Sequence, residues 1–446
     1  MQTRGLASTD RDTFSSLLIS GPGVVAAFIA AQIWVLLAAG AQFAQIYGDV
    51  TLYHWWANRG LTAGVWPVLH EVWVYPAGAL VPIGLPVLFG GGWPTYAAIW
   101  TVMVIALNAW ATWMLVRGGR PAPGSLATEP ALPGATDLLR RRSYVAALWW
   151  CAFLAALGPI WLGRLEGVIA PMMLVALVLA RRNPTLAVAL ATFGAWIKIA
   201  PGAIVAVLAA SSRRLSDFAL KVVAPGTVVS AIIIGLALAG GARSRALSVF
   251  GEQTGRTLQA ESVAATWFSV ARLWNDGVRI EFNQDIFTFE VAGTTARQVA
   301  TVLDFALPIA VVLLALLVIV VARRRPDATK LDVVLYGTAA TLLALIVFNK
   351  VGSPQFIAWI GPAFAAALAL ASPDERRRWL VPSLSLLGIA ALTQVLYPMA
   401  YGAFIDGQSW MIAVAAVRNF GVVALLIWAI TQLVRLAQGT QAHQKN

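Results

Sequence analysis

The stretch QIYGDVTLYHWWANRG, residues 45–60, follows directly on a run apolar enough to cross a bilayer and holds one carboxylate (Asp49), one histidine (His54), four aromatics and Arg59. A carboxylate in that position can take a proton from an incoming hydroxyl, or it can cap a helix that begins at Val50. The other scarce polar groups fall in a few short places. His70, Glu71 and Tyr75 lie in the same inter-run segment, and Arg164 and Glu166 lie in GPIWLGRLEG. Lys198 sits in WIKIAPG, Lys350, Ser353 and Gln355 in NKVGSPQFIAW, and Gln394, Tyr397 and Asp406 near the end of the chain. Charges in or beside a bilayer are costly and are usually paired or functional.

Each group has two readings. Arg164 and Glu166 are two residues apart and cannot share a helix face, so on a turn they either point together into a cavity or face lipid headgroups. An ammonium at Lys198 within an apolar run needs a partner, which a phosphate or an acidic side chain can provide. His54, His70, Asp49 and Glu71 could build a metal site, although a spacing of this kind is not diagnostic. Trp55, Trp56, Trp66 and Trp73 can anchor the interface, or stack on a sugar face or an isoprenoid.

The elements that must position these groups are read from composition. The chain has 446 residues, 59% apolar and only 12% charged, with a mean hydropathy of +0.75. A soluble domain carries about twice that charged fraction. Helices satisfy their own backbone groups in lipid, so most of the chain is expected to be membrane helix. The net charge of +12 does not indicate nucleic acid, because the basic residues sit in clusters between apolar runs, as cytoplasmic loops do. The single cysteine, Cys151, excludes an intrachain disulfide and a multi-cysteine metal site. The first run lacks a small-residue cleavage motif and reads as a retained anchor.

Apolar runs fall near 23–43, 76–90, 95–116, 143–157, 159–180, 185–211, 222–240, 301–322, 331–348, 356–372, 379–397 and 410–433. Arginine clusters at 4 and 11, 117 and 120, 140–142, 181–182, 213–214, 323–325 and 376–378 mark the cytoplasmic side. Parity then requires that 76–90, broken by Pro82 and Pro86, does not cross fully. It also requires that 185–211, with Lys198 and Pro201 at its middle, is two half-helices meeting in the membrane rather than one tilted helix. The expectation is an all-α polytopic membrane protein of about twelve helical segments. Residues 1–22 and 434–446 are expected as cytoplasmic tails. Residues 23–433 form the membrane domain, with an outer loop 44–75 and a long outer loop 241–300 that carries six arginines and several aromatics.

In this order the pieces resemble the polytopic C-type fold glycosyltransferases. The likeness is to the actinobacterial family 87 of polyprenyl-phosphate-mannose-dependent alpha-mannosyltransferases. Its carriers are GDVTLYHWW with Asp49, VYPAG with Tyr75 and Pro76, GRLEG with Arg164 and Glu166, WIKIAPG with Lys198 and Pro201, and KVGSPQFIAW from Lys350 to Trp359. Ala77 stands where the second proline of a YPP turn is common, and Phe356 where tyrosine is common.

The resemblance implies a bundle of that fold and transfer of one sugar, mannose, with inversion, to a glycolipid or lipoglycan outside a bacterial plasma membrane. It implies Asp49 as general base, with His54 orienting the acceptor or assisting. Arg164, Lys198, Lys350 and Tyr75 are implied to hold the donor phosphate and lipid. Arg59, His70, Glu71, Glu166, Ser353, Gln355, Trp55 and Trp56 are implied to line the substrates. The scheme requires no cofactor and no divalent metal, and its partners are the lipid-linked donor, the acceptor and membrane lipids, met by a monomer. Three competing readings are arabinofuranosyl transfer, a flippase or transporter of lipid-linked sugar, and a lipid-linked polysaccharide polymerase.

Overall fold

The computed structural model describes residues 19–118, 135–251, 256–325 and 330–438. Most of the N-terminal tail, with Arg4 and Arg11, lies outside the described residues, as do Arg120 and residues 439–446. Among the described residues eight helices are long and apolar enough to cross a membrane. In chain order the helices are α1 (Gly21–Ala41), α2 (Phe43–Ala63), the broken α3 (Ala77–Phe89), α4 (Gly92–Gly118), α5 (Ala135–Leu157), α6 (Glu166–Ala180), α7 (Pro184–Ile197) and α8 (Gly202–Ala210). They continue as α9 (Leu215–Ala239), α10 (Thr266–Ala271), α11 (Thr294–Arg324), α12 (Lys330–Val347), α13 (Gly361–Leu370), α14 (Pro373–Gln394), α15 (Tyr401–Ile405) and α16 (Ser409–Gln438).

Burial sorts them. Almost every residue of α6, α12 and α13 is buried, whereas α9 and α11 turn most of their apolar surface outward. A helix that is apolar on all sides belongs inside a bundle or against lipid, and both cases occur here. In lipid, helices associate through close packing rather than through the hydrophobic effect, and small residues permit it. The alanine-rich GPAFAAALAL of α13 accordingly packs on α5, α6 and α12.

Two expectations change in detail. Within the outer segment 44–75 the helix starts earlier than Val50, because residues 43–63 form α2. Its buried positions Ile46, Val50, Tyr53, Ala57 and Gly60 recur at helical spacing and face the bundle. α16 runs past 433 to Gln438, so the helix enters the segment expected as tail. The bundle is all-α as expected, and 241–300 adds a two-stranded ribbon in which β1 (Ile280–Asn283) pairs antiparallel with β2 (Thr288–Val291).

Residues 76–90 form only short helical pieces interrupted at Leu85, and 185–211 breaks at Lys198, whose backbone is extended. Pro201 lacks an N–H and would clash with the carbonyl of Ile197 in a continued helix, which accounts for the break. The start of α7 (Pro184, Val188) and the end of α8 (Leu208, Ser212) line one cavity. The two half-helices therefore turn back as a hairpin with Lys198 near its tip.

Candidate functional site

Asp49 lies in the second turn of α2, not ahead of a helix start, so the capping reading does not hold. It sits beside the buried stripe of that helix, four residues before Tyr53. Arg164 Nε meets Asp49 Oδ2 at 2.9 Å. The guanidinium also donates through Nη1 to Ile46 O (3.0 Å) and Gly163 O (3.1 Å), and through Nη2 to Gln45 O (3.3 Å). Arginine's planar fork of donors fits this set of acceptors and a lysine could not satisfy it. Tyr397 donates its hydroxyl to Gln45 O at 3.2 Å, closing the cluster from the far end of the chain. Burial works against the Arg164 charge, but Asp49 and the tyrosines outweigh it and hold the guanidinium pKa above its ordinary value. Arg164 is buried and Glu166 fully so, which removes the headgroup-facing reading for this turn.

Gly163 lets the turn reach α2. A Cβ there would stand 1.9 Å from Ile46 O, so any side chain must push the turn away. Gly163→Ala is expected to destabilise the protein by ~1–3 kcal/mol, as overpacking does, and to part Arg164 from Asp49. Thermal unfolding in detergent checks the first effect. An unchanged midpoint would mean that the turn is free to move.

Two residues on, Glu166 opens α6 and its Oε1 meets Lys198 Nζ at 2.5 Å. Trp359 Nε1 donates to the same oxygen at 3.3 Å. The ammonium also stands 5.2 Å from the Phe356 ring centroid and 6.0 Å from that of Trp359. Glu166 is 0% exposed and its Oε2 is without a hydrogen-bond partner. α6 and α7 run antiparallel, which is why the last residue before the α7 break meets the first residue of α6. Of the two partners open to Lys198, the acidic one is present.

Tyr53 and Tyr75 stand near the Asp49–Arg164 pair. Burial pushes both phenols well above their usual range, and the Asp49 carboxylate adds to it. Tyr75 also feels the Glu166 charge, so Asp49, Arg164, Tyr53, Tyr75 and Glu166 share one electrostatic neighbourhood. Both hydroxyls keep their protons and can donate.

The remaining candidates are placed as follows. His54 packs against the rings of Trp93 and Tyr96, and burial lowers its pKa. Arg59 pairs with Glu71 at 2.8 Å and lies over Trp55. His70 Nδ1 accepts from Trp66 N at 3.1 Å, bracing a tight turn. Trp55 is exposed, while Trp56 packs edge-on to Trp73 and Tyr75. With its members drawn apart, the four-residue metal set does not assemble, and among the described residues no three His, Cys, Asp or Glu side chains form a metal-binding group. Lys350 Nζ pairs with Asp304 at 2.8 Å rather than with Asp49 or Glu166. Ser353 donates to Gln259 Oε1 at 3.4 Å, and Gln355 is half-buried in the turn that carries Phe356 and Trp359.

With eight membrane-length apolar helices among the described residues, the class is plain. This is a multi-pass membrane protein. Compared with protein-family models, curated proteins and solved structures, the chain matches none of them.

A second buried cluster adjoins the first. Tyr401 donates to Glu261 Oε1 at 2.5 Å. Arg418 Nη1 reaches Glu261 O at 3.3 Å and Asn419 Oδ1 at 2.6 Å. Burial raises the Glu261 pKa, and Tyr397 feels both this carboxylate and Asp49. Sequence reasoning passed over this cluster. The available signal was a lone arginine inside the apolar run 410–433. Glu261, within a polar stretch, carried none.

Proposed function

We propose that the protein is a membrane glycosyltransferase that moves a single sugar, mannose, from a polyprenyl-phosphate donor to a hydroxyl of a cell-envelope glycolipid or lipoglycan. The observation that carries this reading is the Asp49–Arg164 pair. Asp49 is the accessible carboxylate of the cluster, with 34% of its side chain exposed, and Arg164 holds its Oδ2 from the buried side. Oδ1 is then the oxygen left for an incoming hydroxyl. Asp49 takes the acceptor's O–H proton as that oxygen attacks the anomeric carbon. The carbon–oxygen bond to phosphate breaks on the opposite side, and polyprenyl phosphate departs with the electron pair, which inverts the anomeric centre. Tyr53, Tyr75 and the cations behind them supply preorganised positive potential near the departing phosphate.

The order of the quoted motifs, from Asp49 to Trp359, supports the C-type glycosyltransferase reading and its family 87 branch. The arginine-rich end of the bundle lies at the opposite ends of α6 and α7. The positive-inside rule favours the cytoplasm for that end, which supports a reading with Asp49 on the outer face of a bacterial plasma membrane.

A second reading, a flippase for lipid-linked sugar, draws on the α7–α8 hairpin, because broken helices recur in transporters. One experiment separates them. Purified protein is given decaprenyl-phosphate mannose and candidate lipid acceptors, and product mass is measured. One added hexose is expected. One added pentose with an arabinosyl donor would move the assignment to arabinofuranosyl transfer. Movement of the donor across vesicles without any product would overturn sugar transfer.

A further inference from the structure

A cavity of about 610 Å³ lies at the arginine-rich end of the bundle, away from Asp49. The turn after α6 and the start of α7 line it with Arg181, Arg182 and Pro184. Ser212 after α8, Asp217 and Lys221 of α9, and Lys330 and Asp332 of α12 complete its polar wall. α6, at 15 residues, is about 22 Å long, and that length separates the cavity from Glu166. Whatever binds here does not touch the outer cluster.

Its charge balance is unequal. Four cations face two carboxylates. Asp217 is matched by Lys221 at 2.6 Å. Asp332 is buried, and its Oδ1 accepts the N–H of Ser372, which lines the same cavity, at 3.1 Å. Arg181 and Lys330 form no ion pair among the described residues. Arg181 and Lys330 therefore stand at the wall of a space of ligand size. The first turns of α9, beside the cavity, expose Leu215, Phe218, Leu220 and Val223. Such an apolar skin beside basic groups suits the acyl chains of a lipid whose headgroup is anionic.

We propose that this cavity binds the phosphodiester headgroup of an anionic membrane phospholipid, with Arg181 and Lys330 as the principal contacts. Basic pockets between membrane helices recognise such headgroups by charge and shape. The apolar flank favours lipid over free phosphate. The site is independent of sugar transfer, so each proposal can fail alone.

Native mass spectrometry of the full chain in detergent, titrated with phosphatidylglycerol or phosphatidylcholine, tests it. The wild type is expected to retain phosphatidylglycerol selectively. The Arg181→Ala/Lys330→Ala double variant is expected to lose about 30-fold in affinity, the product of two near-surface cations. Arg181→Lys/Lys330→Arg keeps the charge and should keep the lipid, which separates binding from misfolding. Arg377→Ala, an exposed cation on the same face but outside the cavity, should change little. Equal retention of the two lipids, an equal loss in Arg377→Ala, or displacement of phosphatidylglycerol by millimolar inorganic phosphate would overturn the proposal.

Discussion

Asp49→Asn is expected to reduce sugar transfer by about 10²–10⁴-fold, the range that a positioned general base contributes, while the protein folds normally. The substitution removes a charge and little else. The asparagine carbonyl oxygen can still accept from Arg164 Nε, and the guanidinium keeps its bonds to the carbonyls of Gln45, Ile46 and Gly163. The cation is therefore not stranded, which is the circumstance that makes breaking a buried pair so damaging. Asp49→Ala removes the acceptor as well and should lower the thermal midpoint in addition to turnover. Comparing the two separates the carboxylate's chemistry from its part in holding Arg164. The readout is the rate of hexose addition by product mass, alongside thermal unfolding. Full turnover by the asparagine variant would remove Asp49 as the base. Tyr53 and Tyr75 could not take its place, because burial keeps both phenols protonated.

The sequence was most informative where polarity was scarce. In an apolar run, a lysine before Ile-Ala-Pro or an Arg-Leu-Glu turn stands out because burying a charge demands a partner. The structure brings those two features together as Glu166 and Lys198. The same logic also applies to Asp304, a lone carboxylate inside α11 and the apolar run 301–322, but nothing in the local sequence tied it to Lys350. The start of α2 is hidden in hydropathy because its mixture of polar and aromatic residues lowers the average, although the Ile46, Val50, Tyr53, Ala57 stripe stands at helical spacing. The ribbon was legible in principle. RIEFNQDIFTFEV alternates across the pairs Ile280–Val291 and Phe282–Phe289, a period of two that hydropathy averaging erases. What no local pattern could supply is the approach of Tyr397 to Gln45, or of Glu261 to Arg418. Those contacts follow from how distant helices pack.

Lys198→Met is expected to destabilise the fold by about 3–5 kcal/mol, the cost of leaving a carboxylate buried and unpaired. Glu166 is fully buried and already has one oxygen without a partner, so it cannot turn to water when the ammonium is lost. Glu166→Gln should cost less. It leaves a cation that is partly exposed and still faces the Phe356 and Trp359 rings. Combining the two, as Glu166→Gln/Lys198→Met, removes both charges and should recover most of the stability lost by Lys198→Met alone, measured as thermal unfolding in detergent. The activity of that double variant then decides what Lys198 is for. If the ammonium serves only to neutralise Glu166, a refolded double variant keeps its turnover. If its field also steadies the phosphate leaving the donor, turnover stays about 10²–10³-fold down although the fold has returned, as when a preorganised charge donor is deleted from an active site. The proximity of Tyr75 to both carboxylates favours the second outcome, because it places the Glu166–Lys198 pair within the electrostatic reach of Asp49. A double variant that is stable and fully active would confine Lys198 to holding the α7–α8 hairpin against α6.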